Sequence, residues 1–414
     1  MKGKEDEMKR NASFVIVLLS LVLAASSTAT SAPGAKPKPK STACKTGLIP
    51  FFKLPASTAG SLTKFVSTPK GVLLLGSTWS SPAQPGAYES LIAGSWDGKR
   101  TSPVNVPFPG RYADGPADIA YHRGEVFIGG NYIVQGGKEL FGIGPTKSFT
   151  VRLLKSGKWQ ATPVPANVAG FQKFLVAKGQ LWMAAQDEAG YLLLLRWEGS
   201  RWSRPAVAPR DVDAWGKNSA PVFWEQPRLE DLAILPSGEI LIVGLFFTNE
   251  KVVSGSEETS REIMKPLAMM WKPGEAEWRF SPPALGGFAE EHVSLDRLIV
   301  SGREVVSFGS YFQYSPMRGY SRKGAFIARL QRGSWILLPP PAVGKPAKGV
   351  WLAFGDEALQ GRGGVWSRVS FPELKKLRGY SFSYAAVVGK AALLVGGNAD
   401  RSNQWQPFFF RKCL

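Results

Sequence analysis

The stretch IAGSWDGKR at Ile92–Arg100 combines an apolar run, a tight glycine turn and a tryptophan, and the chain repeats this phrase. The variants are VRLLKSGKW (Val151–Trp159), LLRWEGSRW (Leu194–Trp202), AMMWKPGEAEW (Ala268–Trp278) and IARLQRGSW (Ile327–Trp335). A proline-bearing stretch follows each phrase: VNVPFP, ATPVP, SRPAVAP, FSPP and ILLPPP. A phrase that recurs roughly every 50 residues is typical of a propeller or solenoid array.

A second repeated piece lies upstream, where a tight turn precedes an apolar run that ends in small residues. The turns are TPKG (Thr68–Gly71), HRG (His122–Gly124), AKG (Ala177–Gly179), PSG (Pro236–Gly238), SGR (Ser301–Arg303) and VGK (Val388–Lys390). The runs that follow, such as LLLGS and LLVGG, suit strands buried on both faces, and their glycines suit the convergence of neighbouring sheets. Two hairpins per unit predict an all-β propeller with four-stranded antiparallel blades. Independent hairpins or a two-sheet sandwich are the alternatives, but a sandwich would not repeat one four-strand phrase so often.

The repeats resemble kelch and galactose-oxidase-like propellers. They look closer to bacterial secreted repeats with a glycine-closed inner strand and an outer hairpin of the IARWDGxxW type. This resemblance covers Leu48 to Leu414 and implies a propeller, while it says little about activity because propellers host many activities. Seven blades are predicted if the degenerate stretch 349–380 forms a short blade, and six blades with an insertion is the alternative.

The last blade lacks its fourth strand, because the chain ends at QWQPFFFRKCL. The N-terminal CKTGLIPFFKLP (Cys44–Pro55) resembles a fourth strand, so we expect it to close the ring by completing the last blade. The only two cysteines, Cys44 and Cys413, then meet at the cut turn. Adjacent antiparallel strands lie within disulfide range, and we predict a Cys44–Cys413 bond.

The N-terminus has the features of an export signal: a basic Met8-Lys9-Arg10, an apolar Phe14–Ala25 and small residues at Ser27-Thr28-Ala29. We predict a signal peptide at 1–29, a Lys/Pro-rich spacer at 30–46 and the propeller at 47–414. The expected location is secreted, periplasmic or at the cell surface, with no transmembrane span after signal removal. An uncleaved membrane anchor is the alternative, although the apolar segment is shorter than the about 20 residues of a comfortable span.

The net charge is +19, and removal of the four bases and three acids in residues 1–29 leaves +18. Such a surface attracts polyanions, although solubility alone is an equal explanation. The basic residues are dispersed, and the densest run is Lys375-Lys376-Leu377-Arg378, which argues against a nucleic-acid groove. Oligomeric state does not follow from the sequence.

In a four-stranded meander with strands A to D, the A–B and C–D turns share one side, which we name the turn face. The B–C loops and blade-to-blade D–A links share the other side, the loop face. The long segments are Thr78–Ser90, Asn131–Ser148, Arg210–Arg228, Phe247–Lys265 and Ser310–Lys323, so the loop face is the expected site of function. Its aromatic and arginine side chains suit sugar rings, apolar patches and anions. The predicted binding residues are Trp79, Tyr88, Tyr132, Phe141, Trp215, Trp224, Tyr311, Tyr314, Arg318, Tyr320 and Arg322. In contrast, Trp96, Trp159, Trp202, Trp278 and Trp335 recur with the repeat and are assigned to packing.

No residue pattern for catalysis or metal binding stands out. The copper-radical enzymes of this fold need two histidines and a tyrosine-linked cysteine, but this chain has only His122 and His292 and two committed cysteines. The sequence contains neither the clustered Cys and His residues of a zinc site nor the alternating acidic pattern of a calcium loop, so no metal and no cofactor is predicted. The favoured function is a non-enzymatic exported propeller that binds an anionic polysaccharide or an envelope or extracellular protein. A carbohydrate-active hydrolase or lyase with loop-face carboxylates is the main alternative, and a structural envelope protein is the weaker one.

Overall fold

The structure is a computed structural model that describes Cys44–Leu414 with internal gaps. The gaps are 52–53, 55–57, 81–89, 110, 113–116, 135–145, 188–191, 205–227, 255–256, 274, 276–278, 281–291, 302, 316–318, 340, 346–347, 363–364, 378 and 400–403. For some further strand residues, among them 248–254, 257–262 and 319–323, only the backbone is described.

The described strands form a seven-bladed β-propeller, which confirms the predicted fold class and decides between six and seven blades. Blade 1 contains β2 (Thr58–Thr68), β3 (Gly71–Ser80), β4 (Ser90–Trp96) and β5 (Thr101–Pro103). Blade 2 contains β6 (Arg111–Tyr112), β7 (Asp118–His122), β8 (Glu125–Ile133), β9 (Thr146–Leu153) and β10 (Trp159–Thr162). Blade 3 contains β11 (Val168–Ala177), β12 (Gln180–Asp187), β13 (Leu192–Trp197) and β14 (Trp202–Ser203). Blade 4 contains β15 (Arg228–Ile234), β16 (Ile240–Ser254), β17 (Glu257–Trp271) and β18 (Arg279–Phe280).

The remaining blades follow in chain order. Blade 5 contains β19 (His292–Ser301), β20 (Glu304–Ser315), β21 (Gly319–Gln331) and β22 (Ser334–Leu337). Blade 6 contains β23 (Val343–Gly344), β24 (Val350–Phe354), β25 (Glu357–Arg362) and β26 (Val365–Val369). Blade 7 contains β27 (Tyr380–Val388), β28 (Ala391–Ala399), β29 (Trp405–Cys413) and the N-terminal β1 (Gly47–Leu48).

The hydrophobic core is divided among the contacts between neighbouring blades. Between blades 2 and 3, for example, Phe127 packs with Phe171, Phe174 and Trp202. A comparable buried cluster lies at each of the other six blade contacts, including the contact of blade 7 with blade 1. Because both faces of each sheet are covered in this way, its central strands are almost uniformly apolar.

The tryptophans of the repeated phrase serve this packing, as the sequence predicts. Trp96, Trp202 and Trp335 are buried in three different clusters, and Trp159 is partly buried against the cluster of blades 1 and 2. Trp278 lies outside the described residues. A large ring at the outer hairpin therefore closes the periphery of a blade contact.

The closing glycines of the second strands have a more local reason than the predicted convergence of sheets. A Cβ at Gly396 would collide with the carbonyl oxygen of Ser381 in the same blade, and a Cβ at Gly76 would collide with that of Ser61. A Cβ at Gly129 would instead meet the Phe171 ring of the neighbouring blade, and a Cβ at Gly397 would lie 3.2 Å from Ser61 Oγ of blade 1. At most of these positions the absence of a side chain therefore leaves room for the backbone of the first strand of the same blade.

Two of the segments expected as long loops are extended hairpins. In blade 4, β16 and β17 remain paired to Ser254 and Glu257, so the predicted loop Phe247–Lys265 is almost entirely strand. In blade 5, β20 and β21 remain paired to Ser315 and Gly319, which corrects the loop Ser310–Lys323. Continuous backbone pairing replaces the expected irregular structure, because both arms of each segment satisfy their hydrogen bonds with one another.

Blade 6, predicted as a short blade, has an unusual strand order. Its outer strand β23 precedes the inner strand β24 in sequence and pairs parallel with β26. The segment after β26 instead forms a 3-10 turn, Pro372–Leu374, whose Leu374 is buried with Phe371 in the contact of blades 6 and 7. The edge strand of blade 6 is therefore β23, which precedes the blade in sequence, because the segment that follows β26 packs into the core.

The ring closes as the sequence predicts. Gly47 and Leu48 pair with Arg411 and Phe410, and the Ile49 amide continues the ladder to the Phe409 carbonyl at 2.8 Å. Cys44 and Cys413 form the expected disulfide, with Cα atoms 5.8 Å apart and 369 residues apart in sequence. No helix in the described part of the chain is long and apolar enough to cross a membrane.

Candidate functional site

Three of the predicted binding residues lie on strands with described side chains, and for two of them, Tyr132 and Tyr311, the ring packs against other side chains. Trp79 is half-buried on β3 opposite Ala59, and Tyr132 is half-buried on β8 with its ring 6.4 Å from the Phe149 ring. Tyr311 on β20 packs against the core of blades 4 and 5, over Gly324. These contacts support a packing role for the rings, and a binding role for the three residues stays a prediction.

Of the other predicted residues, three lie on the blade 5 hairpin and five lie outside the described residues. Tyr314 and Tyr320 are directly opposite one another in the hairpin register, and Arg322 is opposite Phe312. The backbone therefore brings three predicted residues to one hairpin end. Tyr88, Phe141, Trp215, Trp224 and Arg318 lie outside the described residues.

The inner strands contain a feature that the sequence reasoning missed, a β-bulge that recurs in five blades. The register shifts by one residue at Leu62/Lys64, Phe171/Lys173, Leu229/Asp231, Leu295/Arg297 and Phe382/Tyr384. A bulge re-aims the side chain next to it. The polar residues after these five bulges, together with Asp118 of blade 2, form a cluster at the centre of the propeller, which we name the inner ring.

The first ion pair of the inner ring joins blades 1 and 2. Lys64 Nζ lies 2.6 Å from Asp118 Oδ1, and the two side chains are 20% and 4% exposed. The Asp118 carboxylate also accepts hydrogen bonds from the backbone amides of Ile119 at 2.8 Å and Phe174 at 2.9 Å. Asp118 thus links three successive blades.

The same arrangement recurs two blades further on. Lys173 Nζ lies 2.8 Å from Asp231 Oδ1, and their side chains are 17% and 14% exposed. The Asp231 carboxylate accepts from the amides of Leu232 at 2.9 Å and Leu298 at 2.8 Å. Lys173 also donates to the Glu230 carbonyl at 3.0 Å, so blades 3, 4 and 5 are joined as blades 1, 2 and 3 are.

Arg297 completes the inner ring with carbonyl partners. Its Nη1 donates to the Glu230 and Asp296 carbonyls, both at 3.2 Å, and its Nη2 donates to the Ser383 carbonyl at 3.4 Å. The guanidinium therefore reaches from blade 5 to blade 7. The intervening inner strand of blade 6, Val350–Phe354, contributes no charged residue.

The pKa shifts in the inner ring follow from this pairing. Burial alone would raise the pKa of Asp231, but Lys173 and Arg297 outweigh it and hold that pKa below its usual value. Burial likewise opposes the charge of Lys64, yet Asp118 raises the pKa of this lysine overall. For Lys173, burial prevails over Asp231 and lowers the pKa. Burial also raises the pKa of the Tyr384 phenol, which stays protonated.

This arrangement is poorly suited to acid–base catalysis. Each inner carboxylate already accepts two backbone amides and one ammonium, and a general acid needs a raised pKa rather than a lowered one. A further buried carboxylate, Asp296, accepts hydroxyl bonds from Ser294 at 2.5 Å and Ser310 at 2.6 Å. The central polar groups therefore hold the blades together.

The histidines are far apart in the fold. His122 ends β7 and is buried, and this burial lowers its pKa. His292 begins β19, where its Nδ1 accepts the Met264 amide at 2.9 Å. Among the described residues, no group of three or more His, Cys, Asp or Glu side chains is placed to hold a metal ion.

Comparisons with known proteins find only remote likenesses to solved structures. No protein-family profile and no curated protein matches the sequence. A solved structure of YCF48 bound to D1 peptide is 12% identical over 89% of this chain and 100% of that chain, with a TM-score of 0.47. The polysaccharide lyase Uly1 is 9% identical over 93% and 95% of the two chains, with a TM-score of 0.49. A catalytically inactive virginiamycin B lyase from Staphylococcus aureus, in complex with quinupristin, is 7% identical over 88% and 98%, with a TM-score of 0.48. At these identities the likeness says nothing about ligand or reaction.

Proposed function

We propose that this chain is an exported, non-enzymatic β-propeller that binds an anionic polysaccharide or an envelope or extracellular protein through its loop face. The observation that supports this proposal most directly is the saturation of the inner ring. Asp118 and Asp231 occupy the centre, yet each is committed to a lysine and two backbone amides. We therefore assign the ligand contacts to the longer segments of the loop face.

The export and family parts of the proposal have separate support. The disulfide between Cys44 and Cys413 is compatible with an oxidising compartment, and the leader-like N-terminus agrees with it. The kelch and galactose-oxidase-like assignment continues to depend on the repeated outer hairpins. It implies a scaffold for binding loops and leaves the ligand open.

The blade 5 hairpin end is the part of the loop face to test first. It brings Tyr314 and Tyr320 directly opposite one another, two residues from Arg322. Tyrosine and arginine residues at one hairpin end suit an acidic sugar, because an aromatic ring can stack on its apolar face and a guanidinium can pair with its carboxylate or sulfate. The experiment is binding of the purified mature protein to anionic polysaccharides and candidate envelope proteins at two salt concentrations.

The test variant replaces Tyr314, Tyr320 and Arg322 by alanine. The control replaces Arg303 and Arg332, two exposed bases of the same blade on the turn face. We expect at least a tenfold loss of affinity in the test variant, equivalent to about 1.4 kcal/mol, and less than twofold in the control. Equal losses in both would contradict a loop-face site. Release of shortened saccharide products by the wild-type protein would establish the hydrolase or lyase alternative instead.

A further inference from the structure

The described turns of the turn face carry a larger excess of positive charge than the predicted ligand loops. The described A–B and C–D turns contain twelve exposed lysines and arginines and only three exposed acids. The bases are Lys70, Lys99, Arg100, Arg123, Lys155, Lys158, Lys178, Arg201, Lys272, Arg303, Arg332 and Lys390. The acids are Asp97, Glu198 and Asp356. By sequence, the five long loop-face segments contain eleven bases and nine acids, so they contribute little net charge.

The turn geometry does not itself require these bases. Arg123, Lys178 and Arg332 have φ of 50°, 50° and 52°, and each precedes a glycine that also has positive φ. Such two-residue turns favour Asn-Gly, Asp-Gly or Gly-Gly, because other side chains are strained in the left-handed region. A basic residue at this position is therefore unfavourable for the backbone, and its side chain offsets the cost through the charge it presents and, at Arg123 and Lys178, through hydrogen bonds to the turn of the next blade.

Hydrogen bonds join some of these turns from one blade to the next. Arg123 Nη2 donates to the Gly179 carbonyl at 3.2 Å, and Lys178 Nζ donates to the Pro236 carbonyl at 3.3 Å, which joins the turns of blades 2, 3 and 4. Arg152 Nη1 joins the outer turns through the Gly199 carbonyl at 3.0 Å. The exposed bases are distributed over the described turns of six blades, 1 to 5 and 7.

One depression interrupts this surface between blades 2 and 3. It has a volume of about 430 Å³, and its lining includes Arg123, Lys155 and Arg196. Its two acids are already paired, Glu125 with Arg152 at 3.2 Å and Glu198 with Arg196 at 3.1 Å. The exposed Arg123 and Lys155 are therefore the charges available to an anion of phosphate size.

The chain enters the propeller at this same face. Cys44 and Cys413 occupy the cut C–D turn of blade 7, where Arg411 Nε donates to the Lys45 carbonyl at 2.7 Å. Upstream, the sequence continues as Lys36-Pro37-Lys38-Pro39-Lys40 and, before that, the apolar Phe14–Ala25. The first described residue, Cys44, therefore lies on the turn face.

We propose that the turn face docks on an anionic lipid surface, with the depression between blades 2 and 3 receiving a phosphate headgroup. Lysines and arginines distributed over the turns of six blades suit a surface of many headgroups, whereas a linear polymer would favour a groove. Each basic residue near such a surface strengthens binding about fivefold. This docking would present the loop face, with its separate ligand, away from the membrane.

The experiment measures binding of the mature protein to vesicles of phosphatidylcholine alone and of phosphatidylcholine mixed with phosphatidylglycerol. The test variant replaces Lys99, Lys158, Arg303 and Lys390 by glutamine, one exposed base on each of four turns in four blades. The control replaces four bases of the predicted loop-face segments, Lys138, Arg210, Lys251 and Lys323, with the same change in net charge. We expect salt-sensitive binding to the mixed vesicles only, roughly 600-fold weaker in the test variant, which is about fivefold for each of the four bases, and within twofold in the control.

Several outcomes would overturn the proposal. Equal losses in both variants would show a response to net charge alone, and equal binding to neutral vesicles would remove the role of the bases. Displacement by soluble glycerol phosphate at constant ionic strength would replace surface docking by a small-anion site. If turn-face bases support binding to an anionic polysaccharide but not to vesicles, the partner is a polymer.

Discussion

Replacement of Asp231 by asparagine tests whether the inner ring holds the propeller together. The Asp231 carboxylate accepts from Lys173 at 2.8 Å, Leu232 at 2.9 Å and Leu298 at 2.8 Å, and it neutralises part of the charge of Arg297. Asparagine keeps the shape but turns one acceptor into an NH₂ group that faces donors. It also leaves two cations at the centre without this counter-charge.

The magnitude follows from the burial of this pair. Removal of one partner from a buried ion pair costs about 3–5 kcal/mol. Since the Lys173 and Asp231 side chains retain 17% and 14% exposure, we expect the lower end, about 3 kcal/mol. The control is Glu198→Gln, which removes the same charge from a pair with Arg196 whose side chains are 34% and 42% exposed. Exposed pairs contribute about 0–1 kcal/mol, so this variant should remain close to the wild type.

The assay is urea unfolding of the disulfide-intact protein at several pH values. Because the pKa of Asp231 is lowered in the folded state, its stabilisation is present above the unfolded pKa of about 3.9 and is lost as pH falls through the folded pKa. The difference between wild type and Asp231→Asn should therefore be full at neutral pH and shrink below about pH 4. A loss no larger than that of Glu198→Gln, or a difference that does not change with acid, would refute the structural role.

Two further perturbations test the fold. Gly396→Ala should destabilise by about 2–3 kcal/mol because the new Cβ would meet the Ser381 carbonyl oxygen, whereas Gly170→Ala, with its nearest neighbour at 3.4 Å, should melt within a few degrees of the wild type. Equal melting temperatures of the two variants would contradict the close approach at the bulge. Cys413→Ser should destabilise by about 2–5 kcal/mol and make the melting temperature insensitive to reductant, whereas the wild type should lose stability when it is reduced. A wild type that melts at one temperature with and without reductant would show that the closure does not depend on the disulfide.

The blade architecture could be predicted from the sequence because each blade repeats its local chemistry. The tryptophan of the outer hairpin, the short A–B turn and the apolar second strand are all visible within one unit. Closure by the N-terminal strand was visible too, since Cys44 and Cys413 fall at complementary positions of one interrupted hairpin. Features determined by pairing within one repeat were thus accessible.

The extended hairpins and the order of blade 6 were not visible in the same way. The segment between Phe247 and Lys265 is rich in polar residues and resembles a loop, but its two arms pair with one another without a register shift. In blade 6, the segment after β26 carries Phe371 and Leu374, which are more stable in the core of the neighbouring contact than on an edge strand. Both outcomes depend on what lies beside the segment in space.

The inner ring has a signal in the sequence, a charged residue that recurs within the apolar first strands. Charged residues interrupt the apolar first strands as SLTKFV, FQKFLV, LEDLAI and LDRLIV at equivalent positions. A lysine or aspartate at that place is costly to bury alone, so the recurrence predicts partners in neighbouring blades. The partner could not be read from sequence, because a one-residue bulge decides which side of the strand faces the centre.

The odd number of blades explains why the inner ring is not uniform. Blades 1 to 4 alternate Lys64, Asp118, Lys173 and Asp231, so each charge has an opposite neighbour. Strict alternation cannot close around seven positions, because two like charges would meet. Blade 6 is neutral at its inner strand, blade 7 supplies the protonated phenol of Tyr384, and Arg297 spans the interval through backbone carbonyls. A guanidinium suits this position because its planar fork reaches carbonyls of three blades, which the compact ammonium of a lysine would not do.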